Sequence, residues 1–295
     1  MPTSHIKRLP PRQKRRINVT RNAFEHGQPE RPTLDRAGYR LVFDDNFSGA
    51  RLDADRWIDH YLPHWTTVER SAARYSTGAD GLHLRIEADQ PAWLPDDPEE
   101  GDLRVSNLQT GTFSGPAGTT IGQMAHRAGL IVRSPQPERR LWTPTAGLVE
   151  ATMSANADPT CMLAFWLVGF AAGGEQETGE ICVVELYGDA IGPERSRVRT
   201  GVKAHRDPNL HDDVVDVWLD MDATTEHTYA AEWDAHSARF YVDDRLVHSS
   251  DQGTDYPQQL MLDLFEFPVH QRRDPADYPK VAHVRSVRGY ELAQQ

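Results

Sequence analysis

The chain has 295 residues, 38% of them hydrophobic and 26% charged, enough to bury a sizeable core and too apolar for wholesale disorder. Its net charge is -12, and residues 1–40 hold ten basic against three acidic side chains, so the remainder carries a deficit of nineteen. An acidic body repels a phosphate backbone, which sets nucleic acid aside as a partner, and no apolar run reaches the ~18 residues of a membrane span.

Residues 1–38 read as a basic, Pro-containing, disordered tail, with Pro10, Pro11, Lys14, Arg15, Arg16, Pro29 and Pro32 leaving little to pack. Its basic residues precede no apolar stretch of the secretory kind, so the expected location is cytoplasmic, with export by another route left open. Residues 39–295 form the expected folded body.

From Tyr39 onward the texture changes to short strand-like runs. They fall at 41–43, 82–86, 148–153, 162–168, 181–187, 229–233, 239–242, 260–267 and 281–290, with turn residues such as Asp80-Gly81 and Asp243-Asp244 between them. No stretch sustains a 3.6-residue apolar period, so the pattern predicts an all-β sandwich or barrel. Two stretches resist strand assignment: 87–102 is acidic and rich in Pro, and 111–140 is rich in Gly and Pro. Each is either a cleft wall or a plain surface insertion.

Chemistry concentrates in Gly179-Glu180-Ile181-Cys182-Val183-Val184-Glu185-Leu186-Tyr187-Gly188. An apolar strand does not hold carboxylates without cause, because burying one unpaired is costly. In a regular strand Glu180 and Cys182 share a face and Glu185 points away. One extra residue near Val183-Val184, a β-bulge, would bring all three to one face. The two Glu α-carbons would then lie roughly 13 Å apart, and side chains leaning inward would bring the carboxyls to roughly 5 Å, the spacing of a retaining glycosidase. The alternative is that Glu185 faces solvent from a regular strand.

Glu180-Ile181-Cys182-Val183-Val184-Glu185 resembles the Glu-x-Asp-x-x-Glu signature of glycoside hydrolase family 16. Further segments resemble that family in order: 41–47 with 52–57, 147–151, 164–167, 227–233 with 240–243, and 281–287. The resemblance covers about 39–290. It implies a jelly-roll sandwich of two antiparallel sheets with a concave substrate cleft. It further implies a retaining endo-acting hydrolase or transglycosylase of β-linked polysaccharides, β-1,3/1,4-glucan or galactan. Glu180 matches the nucleophile and Glu185 the acid/base. Cys182 stands where the family has Asp, and a neutral thiol is a weaker donor toward Glu180. A carbohydrate-binding protein with weakened or lost catalysis is therefore the alternative.

Trp166, on the strand before the signature, is the leading candidate to stack on a sugar ring. Trp142, Trp65 and Tyr187 are weaker platforms, Trp142 at a rim position after Arg139-Arg140. His205 resembles a family histidine lining the cleft, and Asn46 and Arg74 are candidates for distant sugar hydroxyls. Cys161 is at odd offset from Trp166 and should face away from the cleft, which argues against a disulfide to Cys182. The thirteen His and two Cys show no metal-ligand spacing, so no metal or cofactor is expected. The expected partner is a polysaccharide, met by a monomer.

Overall fold

The computed structural model describes residues 32–98, 100–171, 176–268 and 273–293, so the expected tail lies outside the described residues up to residue 31. Sixteen strands occur among the described residues. They are β1 (Tyr39–Asp45), β2 (Arg74–Gly78), β3 (Gly81–Ile86), β4 (Arg104–Gln109), β5 (Gly111–Thr112), β6 (Arg139–Arg140), β7 (Gly147–Ser154) and β8 (Cys161–Gly169). The second half holds β9 (Glu180–Tyr187), β10 (Ser196–Lys203), β11 (Asp213–Leu219), β12 (His227–Trp233), β13 (Ala238–Val242), β14 (Arg245–Ser250), β15 (Gln258–Glu266) and β16 (Lys280–Leu292). Every run expected from the sequence lies on one of them.

The strands form the jelly-roll sandwich of antiparallel sheets that the resemblance implied. One sheet runs β14-β13-β12-β7-β16-β3-β2, with β1 also paired to β16. The other runs β11-β10-β9-β8-β15-β4. The period-2 alternation of each strand decides what lies between them. In β3, Leu82, Leu84 and Ile86 are buried while His83 and Arg85 are only partly covered. Leu163, Phe165 and Leu167 of β8 and Leu260, Leu262 and Leu264 of β15 meet them in the inter-sheet core. Cys161 joins this core, facing away from Trp166 as expected, and both cysteines are free.

The six-stranded sheet also buries its other face. Ala164, Trp166, Met261, Phe265 and Val105 pack there under Tyr61, Trp65, Trp93, Leu94, Leu103, Leu130 and Val132. The covering residues come from the irregular stretches, including 87–102 and 111–140. These segments are therefore walls on the site-bearing face rather than surface insertions.

At the opposite side of the molecule, residues 32–38 pack onto the outer face of the larger sheet. Leu34 is buried among Leu148, Ala230, Tyr241 and Tyr290, and Arg36 pairs with Glu150 and Asp244. The packed body thus reaches back to residue 32. Near its entry, Asp45 accepts from Phe47 N at 2.8 Å and from Trp57 Nε1 at 2.8 Å. That pairing explains the spacing of the opening motif.

Candidate active site

The site is made by one irregularity in β9. Against β8, Phe165 pairs with Val184 and Trp166 with Cys182, which leaves Val183 as an inserted residue. Against β10, Glu185 pairs with Arg199 and Cys182 with Gly201. Val183 and Val184 both point into the inter-sheet core. The expected β-bulge is therefore present, and Glu180, Cys182 and Glu185 share the outer face, with one ligand atom from each lying within 4.8 Å of the others.

Thr200, opposite the bulge, secures it. Its Oγ1 lies 3.0 Å from Cys182 O and 2.9 Å from Val183 O, the two carbonyls that the inserted residue displaces from the ladder. Gly201 beside it has φ 143°, and a Cβ there would lie 2.1 Å from Asp213 O. Thr200→Val keeps the shape and removes the hydroxyl donor. It should cost about 1–2 kcal/mol, read as a lower unfolding midpoint in calorimetry. An unchanged midpoint would mean the bulge holds without the hydroxyl.

Both carboxylates are nearly sealed, Glu180 at 4% and Glu185 at 8% exposure. They survive burial because Lys203, in register with Glu180 across β10, reaches both. Its Nζ lies 2.8 Å from Glu180 Oε1 and 2.5 Å from Glu185 Oε1. Burial works against this ammonium, but the two carboxylates outweigh it and Lys203 titrates well above the usual lysine range. Glu180 Oε2 lies 2.6 Å from His205 Nε2. Burial alone would raise the Glu180 carboxyl, and Lys203 and His205 together bring it down to about 2. An ionised carboxylate only accepts, so His205 Nε2 carries the proton in this bond. His205 itself sits in the left-handed region at φ 48°, uncommon outside glycine, which turns its ring back toward Glu180.

Glu185 Oε2 accepts from Tyr187 OH at 3.1 Å. The Tyr187 ring stacks on Phe267 and lies beneath the guanidinium groups of Arg197 and Arg199. Arg199 is held by a bidentate pair with Asp216 at 2.8 and 3.1 Å. Cys182 is fully buried, and burial pushes its thiol well above the usual range, so the residue is neutral. Its nearest polar partner is Arg199 O at 4.0 Å, and neither carboxylate bonds to it.

Trp166 pairs in register with Cys182 and lies on the same face, but only 6% of it is exposed. Its Nε1 donates to Asp263 Oδ2 at 2.6 Å, and Asn107 Nδ2 donates to Asp263 Oδ1 at 2.7 Å. Burial holds the Asp263 carboxyl well above its usual range, and the charge of Glu180 adds to this. Trp166 is therefore a packed floor beneath the site rather than an open platform.

The other expected sugar contacts lie elsewhere. Trp142 stacks on Phe43 at 4.9 Å and packs against the inter-sheet core, not at a cleft rim. Gly289 makes room for it, since a Cβ there would fall 2.3 Å from the indole. Trp65 is fully buried and donates from Nε1 to Gln123 O. Asn46 Oδ1 accepts from Ser48 N in a turn, and Arg74 opens β2 as an exposed residue whose N–H donates to Ser106 Oγ. Neither bonds to the two carboxylates. Lys203, Thr200 and Asp263 were missed from the sequence. Lys203 is placed at the site only by the pairing of β10 with β9, which sets it across from Glu180.

Residues 142–266 match the family model described as glycosyl hydrolases family 16. The family resemblance read from the sequence is thereby shown over that segment. No curated protein matches the chain. Among solved structures, the GlcNAcα1-4Gal-releasing endo-β-galactosidase from Clostridium perfringens is similar at 25% identity and a TM-score of 0.71, over 90% of this chain. The chain spans 65% of that protein's length. A laminarinase catalytic domain from Thermotoga petrophila RKU-1 has a TM-score of 0.58 at 16% identity, covering 87% of this chain and 99% of its own. The endo-β-1,3-glucanase from Pyrococcus furiosus has 0.58 at 19%, covering 91% and 100%. These last two share the fold.

Proposed function

We propose that this chain, whose residues 142–266 match the family 16 glycosyl hydrolases, is an endo-acting hydrolase or transglycosylase of β-linked polysaccharides that works with retention. The substrate class it fits is β-1,3/1,4-glucan or galactan, and galactan is favoured by the likeness to the endo-β-galactosidase from Clostridium perfringens at 25% identity. The observation that carries the reading is the carboxylate spacing. Oxygens of Glu180 and Glu185 lie within 4.8 Å of each other. A double displacement uses carboxyls about 5–5.5 Å apart, whereas inversion needs about 6.5–9.5 Å.

In this mechanism Glu180 attacks the anomeric carbon. A nucleophile must be ionised, and Lys203 and His205 keep Glu180 so. Glu185 protonates the leaving oxygen and afterwards takes a proton from water or an acceptor sugar. Lys203 bonds to Glu185 Oε1, so it must swing away before that oxygen presents a proton. Tyr187 holds the other oxygen meanwhile. Cys182 occupies the auxiliary position without charge. Orientation of the nucleophile, for which the family's Asp serves, falls here to Lys203 and His205.

The anomeric configuration of the first-formed product, followed by proton NMR on a panel of glucans and galactans, tests this. Retained configuration is expected. Inverted product would overturn the double displacement. A second reading, a glycan-binding protein with weakened catalysis, is favoured by the ammonium that saturates both carboxylates and by the neutral Cys182. Glycan binding with no product from any polymer would support it.

A further inference from the structure

A pocket of about 430 Å³ opens beside Glu180, lined by Met124, Ala125, His126, Arg127, His205 and Arg206 among others. That is a volume for a sugar-sized ligand. His205 belongs to both places, since its Nε2 bonds to Glu180 while its ring lines the pocket. A group seated in the pocket would therefore belong to a sugar unit next to the bond being cleaved.

The lining is unusual for so acidic a chain, because it holds two arginines and two histidines and no carboxylate. Arg127 is paired behind the wall, its Nε 2.6 Å from the buried Asp97. Arg206 is different. Its backbone N–H donates to Thr178 Oγ1 at 3.0 Å and its Nη2 to Ala125 O at 2.8 Å. Among the described residues it has no carboxylate partner. The backbone is thus held at Thr178 and the exposed guanidinium at Ala125, and among the described residues most of its donors have no protein acceptor. Its neighbour Asp207 is turned the other way and accepts from Tyr256 OH at 2.6 Å. That side of the turn opens on a separate cavity of about 910 Å³ lined by Glu177, Asp207, Asp251 and Asp255. The turn at 205–207 segregates charge, basic toward the catalytic carboxylates and acidic away from them.

We propose that the Arg206 pocket is a subsite for an anionic substituent, so that the substrate is an acidic glycan carrying a carboxylate or sulfate next to the cleaved linkage. A planar guanidinium matches either group with paired hydrogen bonds, and an ordinary sugar hydroxyl gains far less from it. This rests on the glycan-active reading and adds the class of sugar to it.

The test is titration calorimetry on the full chain carrying Glu180→Gln, which stops turnover during the measurement. Three hexasaccharides serve as probes: a neutral galactan, a sulfated galactan and a glucuronate-containing oligomer. At low salt at least one acidic probe should bind about tenfold tighter than the neutral one or better. The advantage should shrink at high salt, as a solvent-accessible charge pair does. Whichever acidic arm gains names the source, sulfate or uronate. Arg206→Gln should collapse the ratio of acidic to neutral affinity, and Arg206→Lys should restore part of it, with unfolding midpoints confirming that all three proteins are folded. Equal binding of all probes, or a preference untouched by Arg206→Gln, would overturn the proposal. If the native chain cleaves nothing yet the acidic preference persists, the hydrolase reading falls and this one stands.

Discussion

Glu180→Gln should lower turnover by roughly four orders of magnitude or more while leaving the protein folded, because the amide keeps the shape and loses the nucleophile. Reducing-end release on the responsive polymer reads the effect, with the native chain beside it. Glu180→Ala gives a second readout, since a small anion such as azide can enter the vacated space and attack the sugar. The expected product is a glycosyl azide of inverted configuration. Glu185→Ala should instead accept azide after the covalent step, giving retained configuration. The opposite pairing of products would exchange the roles of the two glutamates. Full activity in Glu180→Gln would remove this site from the chemistry altogether.

Lys203→Met should be the most destabilising single change in the cleft. It deletes the ammonium that bonds to both buried carboxylates. Breaking such a pair from one side costs about 3–5 kcal/mol, because the remaining charges stay buried. The pH dependence identifies the cause. In the native chain Glu180 titrates at about 2 against an ordinary 4.5, a lowered value. Its contribution to stability is therefore full above about 4.5 and is lost as pH falls toward 2. Without Lys203, burial dominates and the carboxyl prefers to be neutral. The difference between the two proteins should thus be largest near neutral pH and close as pH falls through that window. Lys203 itself has a raised value, so its contribution is whole below the ordinary lysine range and fades as pH climbs beyond it. Urea unfolding measured across acid pH decides the matter, and a constant difference would point to lost packing rather than charge. The acid limb of any pH–rate profile should move upward in the same variant.

The strands were legible where both periodicity and side-chain type agreed, as in β3, β8 and β15. β4 was not, because its sequence Arg-Val-Ser-Asn-Leu-Gln buries Ser106, Asn107 and Gln109, polar residues that a hydropathy pattern assigns to a loop. The bulge was half legible: two carboxylates in an apolar strand fit either a bulge that brings both to one face or a regular strand with Glu185 in solvent, and the pairing of β9 with β8 decides for the bulge. Lys203 was not, since a lysine near the end of a polar strand looks like any solvated surface residue. Only pairing register shows that it lies across from Glu180. The walls over the site were equally hidden. Trp93, Leu94, Leu103, Leu130 and Val132 are too widely spaced among Pro and Gly to show a period, yet they pack together on Trp166 and Phe265. Trp142 marks the limit of reading by residue type, since an indole fits a sugar and a gap over Gly289 equally well.

The inserted Val183 has a consequence at the level of the gene. Upstream of it, even-numbered residues of β9 face the cleft; downstream, odd-numbered ones do. Loss of the codon for Val183 or Val184 would restore strict alternation and still leave Glu180, Cys182, Glu185 and Tyr187 on the cleft side with Leu186 inside. Exchange of one aliphatic for another at 183 or 184 leaves the arrangement whole. What the extra letter sets is the stride between the two glutamates, which an in-frame omission of one valine would shorten by a step without exchanging their faces.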